Sequence, residues 1–183
     1  MESRARVEDD RELVDRSING DGEAFRRLVE KHHARVFRLV RGILGDWHRS
    51  EDVCQEIFTA IYRKLSGFRR DARFSTWMYR VAVNAALRAR KRWKTALLPL
   101  EAVEPTRLAT KPSRPAFEGD EALKKLLAPL PPKLRTVVVL REQAGLSYGE
   151  IAEVLGCSRG AVEQRIHRAM TLLREVWGKR GAP

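Results

Sequence analysis

Apolar residues recur every three to four positions along most of this chain, and that spacing dictates helices. Ala24, Phe25, Leu28, Val29, Val36, Phe37, Val40 and Leu44 form one continuous stripe, wide enough to bury one face of a long helix. Asn19-Gly20 stops a shorter helix expected at residues 12–18, Asp21 is placed to cap the long one, and Gly45 is placed to end it. Ser50 is expected to cap a third helix, with Val53, Cys54, Ile57, Phe58, Ile61 and Leu65 on one face and Gly67 closing it. After the loop 68–74, Ser75 is expected to cap a fourth helix that runs to about Lys94. No stretch keeps the period-two alternation of a strand, and no Asn-Gly or Asp-Gly lies between β-rich runs.

Residues 95–118 break the pattern. Four of the 8 prolines fall there (Pro99, Pro105, Pro112, Pro115), among Thr, Ser and Lys with no apolar period, the composition of an extended linker. Periodicity resumes at Leu123, Leu126 and Leu127, pauses at Pro129, Pro131 and Pro132, and continues through Leu134, Val137, Val138 and Leu140 toward Gly145. Val137, Val138 and Val139 alone would suit a strand, but proline at the start and glycine at the end favour a helix. The expectation is an all-α fold of two small helical domains, 1–94 and 119–183, joined by a flexible linker at 95–118.

The formal net charge of +12 calls for a polyanionic partner, and its distribution narrows the choice. Residues 68–95 carry nine Lys/Arg against one acid, and residues 157–183 carry six against two, whereas residues 1–22 carry four against seven. Two basic stretches on separate domains suit two contacts with one phosphate backbone; a solvated helix face or an anionic membrane surface is the plainer alternative. No apolar run is long enough for a membrane span, and Met1-Glu2-Ser3-Arg4 leads into charged residues, so neither membrane insertion nor a secretory signal is expected. Cys54 and Cys157 lie far apart with no CxxC partner, as reduced thiols of a cytoplasmic protein would.

The C-terminal domain carries the sharper motif. Ser147-Tyr-Gly-Glu150 fits a capping box, Ile151, Ala152 and Leu155 follow on one face, Gly156 supplies a left-handed turn, and Ser158 caps the next helix. Val162 and Ile166 turn inward on that second helix, leaving Arg159, Glu163, Gln164, Arg165 and Arg168 outside. A helix-turn-helix of this kind presents long polar side chains to a major groove, where Arg pairs with guanine, Gln with adenine, and Glu accepts from cytosine. In the N-terminal domain, Arg69, Arg70, Arg73, Arg80, Arg88, Arg90, Lys91, Arg92 and Lys94 combine with Phe68, Phe74, Trp77 and Tyr79, the combination that tracks a backbone while stacking unpaired bases. For Trp77 and Tyr79 core packing is the competing role, Trp77 having the apolar Val81 one turn on. Asp52, Gln55 and Glu56 lie beside Ile57 and Phe58, a polar face with apolar neighbours that suits docking on another protein or plain solvation.

Several of these runs together resemble a known family. Asn19-Gly-Asp-Gly-Glu-Ala-Phe25, Ser50-Glu-Asp-Val-Cys-Gln-Glu-Ile-Phe58, Phe68, Phe74-Ser-Thr-Trp-Met-Tyr-Arg80 and Val83-Asn84 resemble region 2 of the extracytoplasmic-function (ECF) group of sigma-70 RNA polymerase sigma factors. Leu130-Pro131, Arg135 and Leu140, followed by the helix-turn-helix, resemble region 4. The resemblance implies that Asp52, Gln55, Glu56, Ile57 and Phe58 grip the clamp helices of the polymerase β′ subunit. It implies that Phe68, Trp77, Tyr79, Arg80, Val81, Asn84, Arg88 and Lys91 hold melted −10 DNA, with Phe68, Val81 and Asn84 lining a pocket for a flipped base. The −35 duplex would fall to Ser158, Arg159, Glu163, Gln164, Arg165 and Arg168. Implied partners are core RNA polymerase through β′ and β, promoter DNA, and an anti-sigma factor. Two positions depart from the family pattern: Glu163 stands where Lys or Arg is common, and Met170 where Arg is common. The competing reading is a stand-alone helix-turn-helix repressor or activator that binds intact operator DNA without polymerase.

An enzyme is not expected. The sequence has no GxxxxGK[ST] loop, HExxH, GxSxG or dinucleotide fingerprint. His32 and His33, being adjacent, point apart on a helix, and Asp46, His48, Glu51 and Asp52 overlap the docking patch. No metal and no cofactor are expected.

Overall fold

Short polar side chains take up the free amides at most helix starts. In the computed structural model, which describes residues 9–96 and 118–178, Asp9 caps α1 (Asp10–Ile18). Asp21 caps α2 (Gly22–Leu44) by accepting from the amides of Glu23 and Ala24. Each such cap contributes about 1 kcal/mol. Gly45, at φ +73°, turns the chain out of α2 in a conformation that glycine adopts without steric cost. Because α2 ends there, Asp46 is already free to cap α3 (Trp47–Lys64), accepting from the Arg49 amide at 2.9 Å. The expected cap, Ser50, is instead buried one turn inside, its hydroxyl donating to the Asp46 carbonyl. A 3₁₀ turn (Leu65–Gly67) closes α3.

The fourth helix, α4 (Phe74–Ala96), likewise starts early, two residues before the expected position, because the Trp77 amide already donates to the Arg73 carbonyl at 3.1 Å. Ser75 therefore lies within the helix and is not its cap. Most of the expected linker falls outside the described residues. The C-terminal helices are α5 (Glu118–Leu127), α6 (Pro132–Glu142), α7 (Tyr148–Leu155) and α8 (Arg159–Gly178). The valine run 137–139 is helical and buried within α6, and among the described residues there is no strand.

Helices α1, α3 and α4 pack around α2, burying Leu28, Leu39, Ile43, Ile57, Ile61 and Met78 completely. Helix α1 is fastened to this core by a charge cluster. The Asp10 carboxylate lies 3.1 Å from Nε2 of buried His32 and 2.8 Å from Lys31 Nζ. Burial alone would raise the Asp10 carboxyl, but the bonds to His32 and Lys31 outweigh it and bring it down to about 2. A second core gathers Leu130, Leu140, Ile151 and Val162 among α6, α7 and α8. The two helical modules also touch, α2 against α6 and α4 against α7.

Candidate nucleic-acid interface

Helix α4 has two unlike faces because its apolar residues keep a helical period. Phe74, Met78, Tyr79, Ala82, Val83, Ala86 and Ala89 point into the core. The opposite stripe carries Trp77, Arg80, Val81, Asn84, Arg88 and Lys91 at successive turns, with Arg80, Asn84, Arg88 and Lys91 exposed and Trp77 and Val81 half-buried. Tyr79 departs from the expectation of a base-stacking ring. It is 3% exposed, and burial pushes its phenol above the ordinary range, so its role is packing.

Phe68, Phe74 and Trp77 form a three-ring cluster at the start of this stripe, with centroids 5.2 to 5.9 Å apart. Phe74 is buried against His32, while Phe68 and Trp77 keep part of their surface open. Core and solvent thus share the cluster, which settles Trp77 as a residue with one face in each. The preceding loop is cationic and bent: Arg70 sits at φ +60° and its guanidinium pairs with Asp15 of α1. Arg69 pairs with Asp71 at 3.4 Å, and Arg73 lies 3.6 Å from Glu150 of α7. Arg80 donates to the main-chain carbonyl of Glu153. The acidic character of the N-terminal segment therefore serves the basic loop directly, through Asp15.

On α3, Asp52, Gln55 and Glu56 are exposed and line a shallow depression of about 670 Å³ together with Thr59, Ala60, Arg63 and Lys64. The last four were not singled out from sequence, although Thr59 and Arg63 lie one and two turns beyond Gln55. Glu56 also meets Arg92 of α4 at 3.3 Å. Phe58 is half-buried under the His33 ring, 5.8 Å away and nearly parallel. Ile57 does not belong to this surface: it is fully buried with Val53, Cys54 and Ile61, because α3 turns it inward. A partner cannot reach it in the folded protein. The Cys54 thiol beside it is pushed up to about 12 by burial, with Glu51 adding to the effect.

The helix-turn-helix is built as its caps require. Ser147 Oγ accepts from the Glu150 amide at 3.3 Å, and the Glu150 carboxylate accepts from the Ser147 amide at 2.9 Å. That return bond, with a further one from the hydroxyl, holds the Glu150 carboxyl below its ordinary range. Gly156, at φ +61°, ends α7, and Ser158 Oγ accepts from the Ala161 amide at 3.2 Å to start α8. Val162 is fully buried and Ile166 half-buried, so α8 packs on α7 by the expected edge. Ser158, Arg159, Glu163, Gln164 and Arg168 are exposed. Arg165 is half-buried, its guanidinium 3.6 Å from Cys157 Sγ. Arg159 and Glu163 pair with each other at 3.1 Å. His167 shares the outer face with Glu163, Gln164 and Arg168. Its spacing, one turn beyond Glu163, was the available signal.

Comparison with known proteins decides which regulator combines these two surfaces. A model described as Sigma-70 region 2 matches residues 28–95, and one described as Sigma-70, region 4 matches residues 120–173. The RNA polymerase sigma-H factor of Pseudomonas aeruginosa is 37% identical over 181 residues, covering 88% of this chain and 90% of that protein. The chain belongs to the sigma-70 family.

Within the family it is an ECF sigma factor, a protein that directs RNA polymerase to promoters. The ECF RNA polymerase sigma factor SigW of Bacillus subtilis is 33% identical, covering 85% of this chain and 90% of that one. Among solved structures, CnrH in complex with the cytosolic domain of CnrY aligns at 28% identity and a TM-score of 0.71. That alignment covers 91% of this sigma factor and 96% of CnrH, and so spans both modules. No helix among the described residues is long and apolar enough to cross a membrane.

Proposed function

We propose that this sigma factor divides promoter recognition between its two modules. Residues 1–94 dock on core RNA polymerase and hold the melted −10 strand, residues 119–183 read the −35 duplex, and residues 95–118 tether them. The observation that carries this reading is the α4 stripe, where the open faces of Phe68 and Trp77 adjoin exposed Arg80, Asn84, Arg88 and Lys91. Cations follow the phosphates while rings take unstacked bases. Unstacking a base costs a few kcal/mol, and in this reading contacts of the flipped base with Phe68, Val81 and Asn84 offset it. Beside Arg159, Glu163, Gln164 and Arg168, helix α8 offers no Phe, Tyr or Trp ring, which suits an intact major groove.

Asp52, Gln55 and Glu56 are the docking side chains for the β′ clamp helices in this reading, with the edge of Phe58 beside them. An anti-sigma factor is a further proposed partner: CnrH, the aligned relative, was solved with CnrY bound. The protein acts in the cytoplasm as a binding factor, and catalysis belongs to the polymerase. Run-off transcription over a genomic library with purified core polymerase, with and without this protein, tests the whole. Protein-dependent transcripts sharing −35 and −10 elements are the expected result. Tight binding to an intact operator with no response to polymerase would overturn it.

A further inference from the structure

The loop that leads into α4 is held in a conformation that its own residues disfavour. Arg70, at φ +60°, is the only non-glycine residue with positive φ among those described. In that region a Cβ crowds the following carbonyl oxygen, which makes glycine the usual occupant of such a bend. The bend has a visible result. Phe68 and Phe74 lie six positions apart, yet their ring centroids are 5.9 Å apart, whereas six extended residues would span about 20 Å. Phe68 is also brought to 5.2 Å from Trp77. Relaxation of Arg70 to negative φ would redirect the chain between these rings and pull them apart.

What holds the bend lies outside the loop. The Arg70 guanidinium pairs with the Asp15 carboxylate of α1, the only ion-pair partner it has among the described residues. Asp71, next to Arg70 in the loop, is engaged by Arg69 instead. Helix α1 is a firm base for the tie. Leu13 and Val14, just before Asp15, are buried, and Asp10 is fastened to His32. His32 in turn meets Phe74 edge-on at 5.7 Å, so α1 supports the ring cluster by two routes. The Arg70 and Asp15 side chains are 60% and 46% exposed. Pairs this open contribute little to global stability, and the consequence of this one lies in the shape of the loop.

We propose that Asp15 is a positioning residue for single-stranded DNA: it holds Arg70 in its bend and so keeps Phe68 against Trp77, where an unstacked base can reach both. Arg70 is then the anchor of the loop and not a phosphate ligand. The proposal rests on reading the α4 stripe as the strand-holding surface. It also opposes bare electrostatics in sign. Removing a negative charge from the border of a cationic surface tightens DNA binding by charge alone, whereas removing a positioning residue weakens it.

The full chain is compared as wild type, Asp15→Ala and Asp15→Ala/Arg70→Gly. Alanine suits the middle of α1, and glycine adopts positive φ without steric cost, so the double variant allows the bend without the tie. Hydrogen exchange over residues 68–77 reports the loop, and affinity for a fluorescent 12-nucleotide oligothymidylate reports the strand. Asp15→Ala is expected to speed exchange in that segment and to weaken oligonucleotide binding about fivefold, the equivalent of about 1 kcal/mol, with thermal unfolding unchanged. The double variant is expected to recover at least half of that loss despite having one cation fewer. Unchanged exchange in Asp15→Ala overturns the tie. Faster exchange with equal or tighter binding overturns the positioning role and makes Arg70 a phosphate ligand that Asp15 restrains. A double variant that binds more weakly than the single one also overturns it, and a large drop in thermal stability would make Asp15 a residue of the fold alone. If the wild type binds no oligonucleotide, the strand-holding reading of α4 fails and the positioning role with it, while the exchange rates still decide whether Asp15 holds the loop.

Discussion

Helices α4 and α8 both carry cations on their exposed faces and differ in what lies between them. On α4, Arg80, Arg88 and Lys91 adjoin the half-open rings of Phe68 and Trp77 and the methyls of Val81. On α8, Arg159 and Arg168 adjoin Glu163, Gln164 and His167. Cations supply affinity for any polyphosphate. The neighbours select its form: rings need bases that have left the stack, and amides or carboxylates need base edges held in a groove. Their support differs too. The α4 face grows out of a core helix and borrows a loop tied down by Asp15. The α8 face is set by two local caps and a glycine turn.

The widest break in this contrast is expected at Asn84. Its side chain is exposed and the described structure gives it no packing role, so Asn84→Ala leaves the fold intact. Losing a polar contact to a flipped base is expected to lower promoter opening tenfold or more, a cost of about 1.4 kcal/mol or above. Permanganate reactivity of the −10 thymines reads that step, and closed-complex affinity by filter binding reads the other. Equal loss in both would put Asn84 on duplex DNA and erase the distinction. Arg168→Ala is the mirror image. It is expected to weaken closed-complex affinity by roughly 1–3 kcal/mol if its contact is bidentate to a base, while melting per bound complex stays unchanged.

Support can be tested separately from contact. Asp10 is held at about 2, below its ordinary 3.8. A carboxyl depressed on folding contributes stability that is complete above the unfolded value and fades as pH falls through the folded one. The shift corresponds to about 2 kcal/mol, lost between roughly pH 4 and pH 2. Asp10→Asn removes it at neutral pH and flattens the wild-type stability slope in that acid window, as urea melts followed by helix ellipticity will show. The effect belongs to the N-terminal module, so α8 binding to duplex DNA is expected to survive it.

What the sequence disclosed follows the range of each interaction. Asp21, Gly45, Gly156 and the Ser147–Glu150 box act within four residues, and all four sit where the pattern placed them. Ser50 and Ser75 failed as caps because nearby groups took the same role earlier, Asp46 by its carboxylate and Arg73 by its carbonyl. Ile57 and Tyr79 show a different error. Both lie inside contiguous motifs, and a motif read as one surface ignores the 100° turn that each residue makes along a helix. Their own apolar neighbours, Val53 and Ile61 for one, Ala82 and Val83 for the other, already assigned them to the core. The close approach of Gly42 to Val139 was out of reach altogether. Nothing local distinguishes a glycine inside an amphipathic helix, and Val139 lies in the other module.

The smallest effect is expected at Glu163, and it sharpens the contrast most finely. Glu163 pairs with Arg159 one turn away, with both side chains largely in solvent. Such pairs contribute little to stability, so Glu163→Gln is expected to leave thermal unfolding unchanged. Its consequence lies in binding. The carboxylate repels the phosphates that α8 approaches, and it occupies an arginine that would otherwise be free to reach one. Removing it is expected to raise duplex affinity a few-fold at low salt and to steepen the dependence of log affinity on log salt by about one counterion. A steeper slope with unchanged sequence preference would assign Glu163 to charge balance. An unchanged slope with altered preference at one −35 position would instead make it a reader of cytosine, through the N4 donor that a carboxylate can accept. The same substitution should leave single-stranded oligonucleotide binding untouched, because Glu163 lies on α8 and not on the α4 stripe.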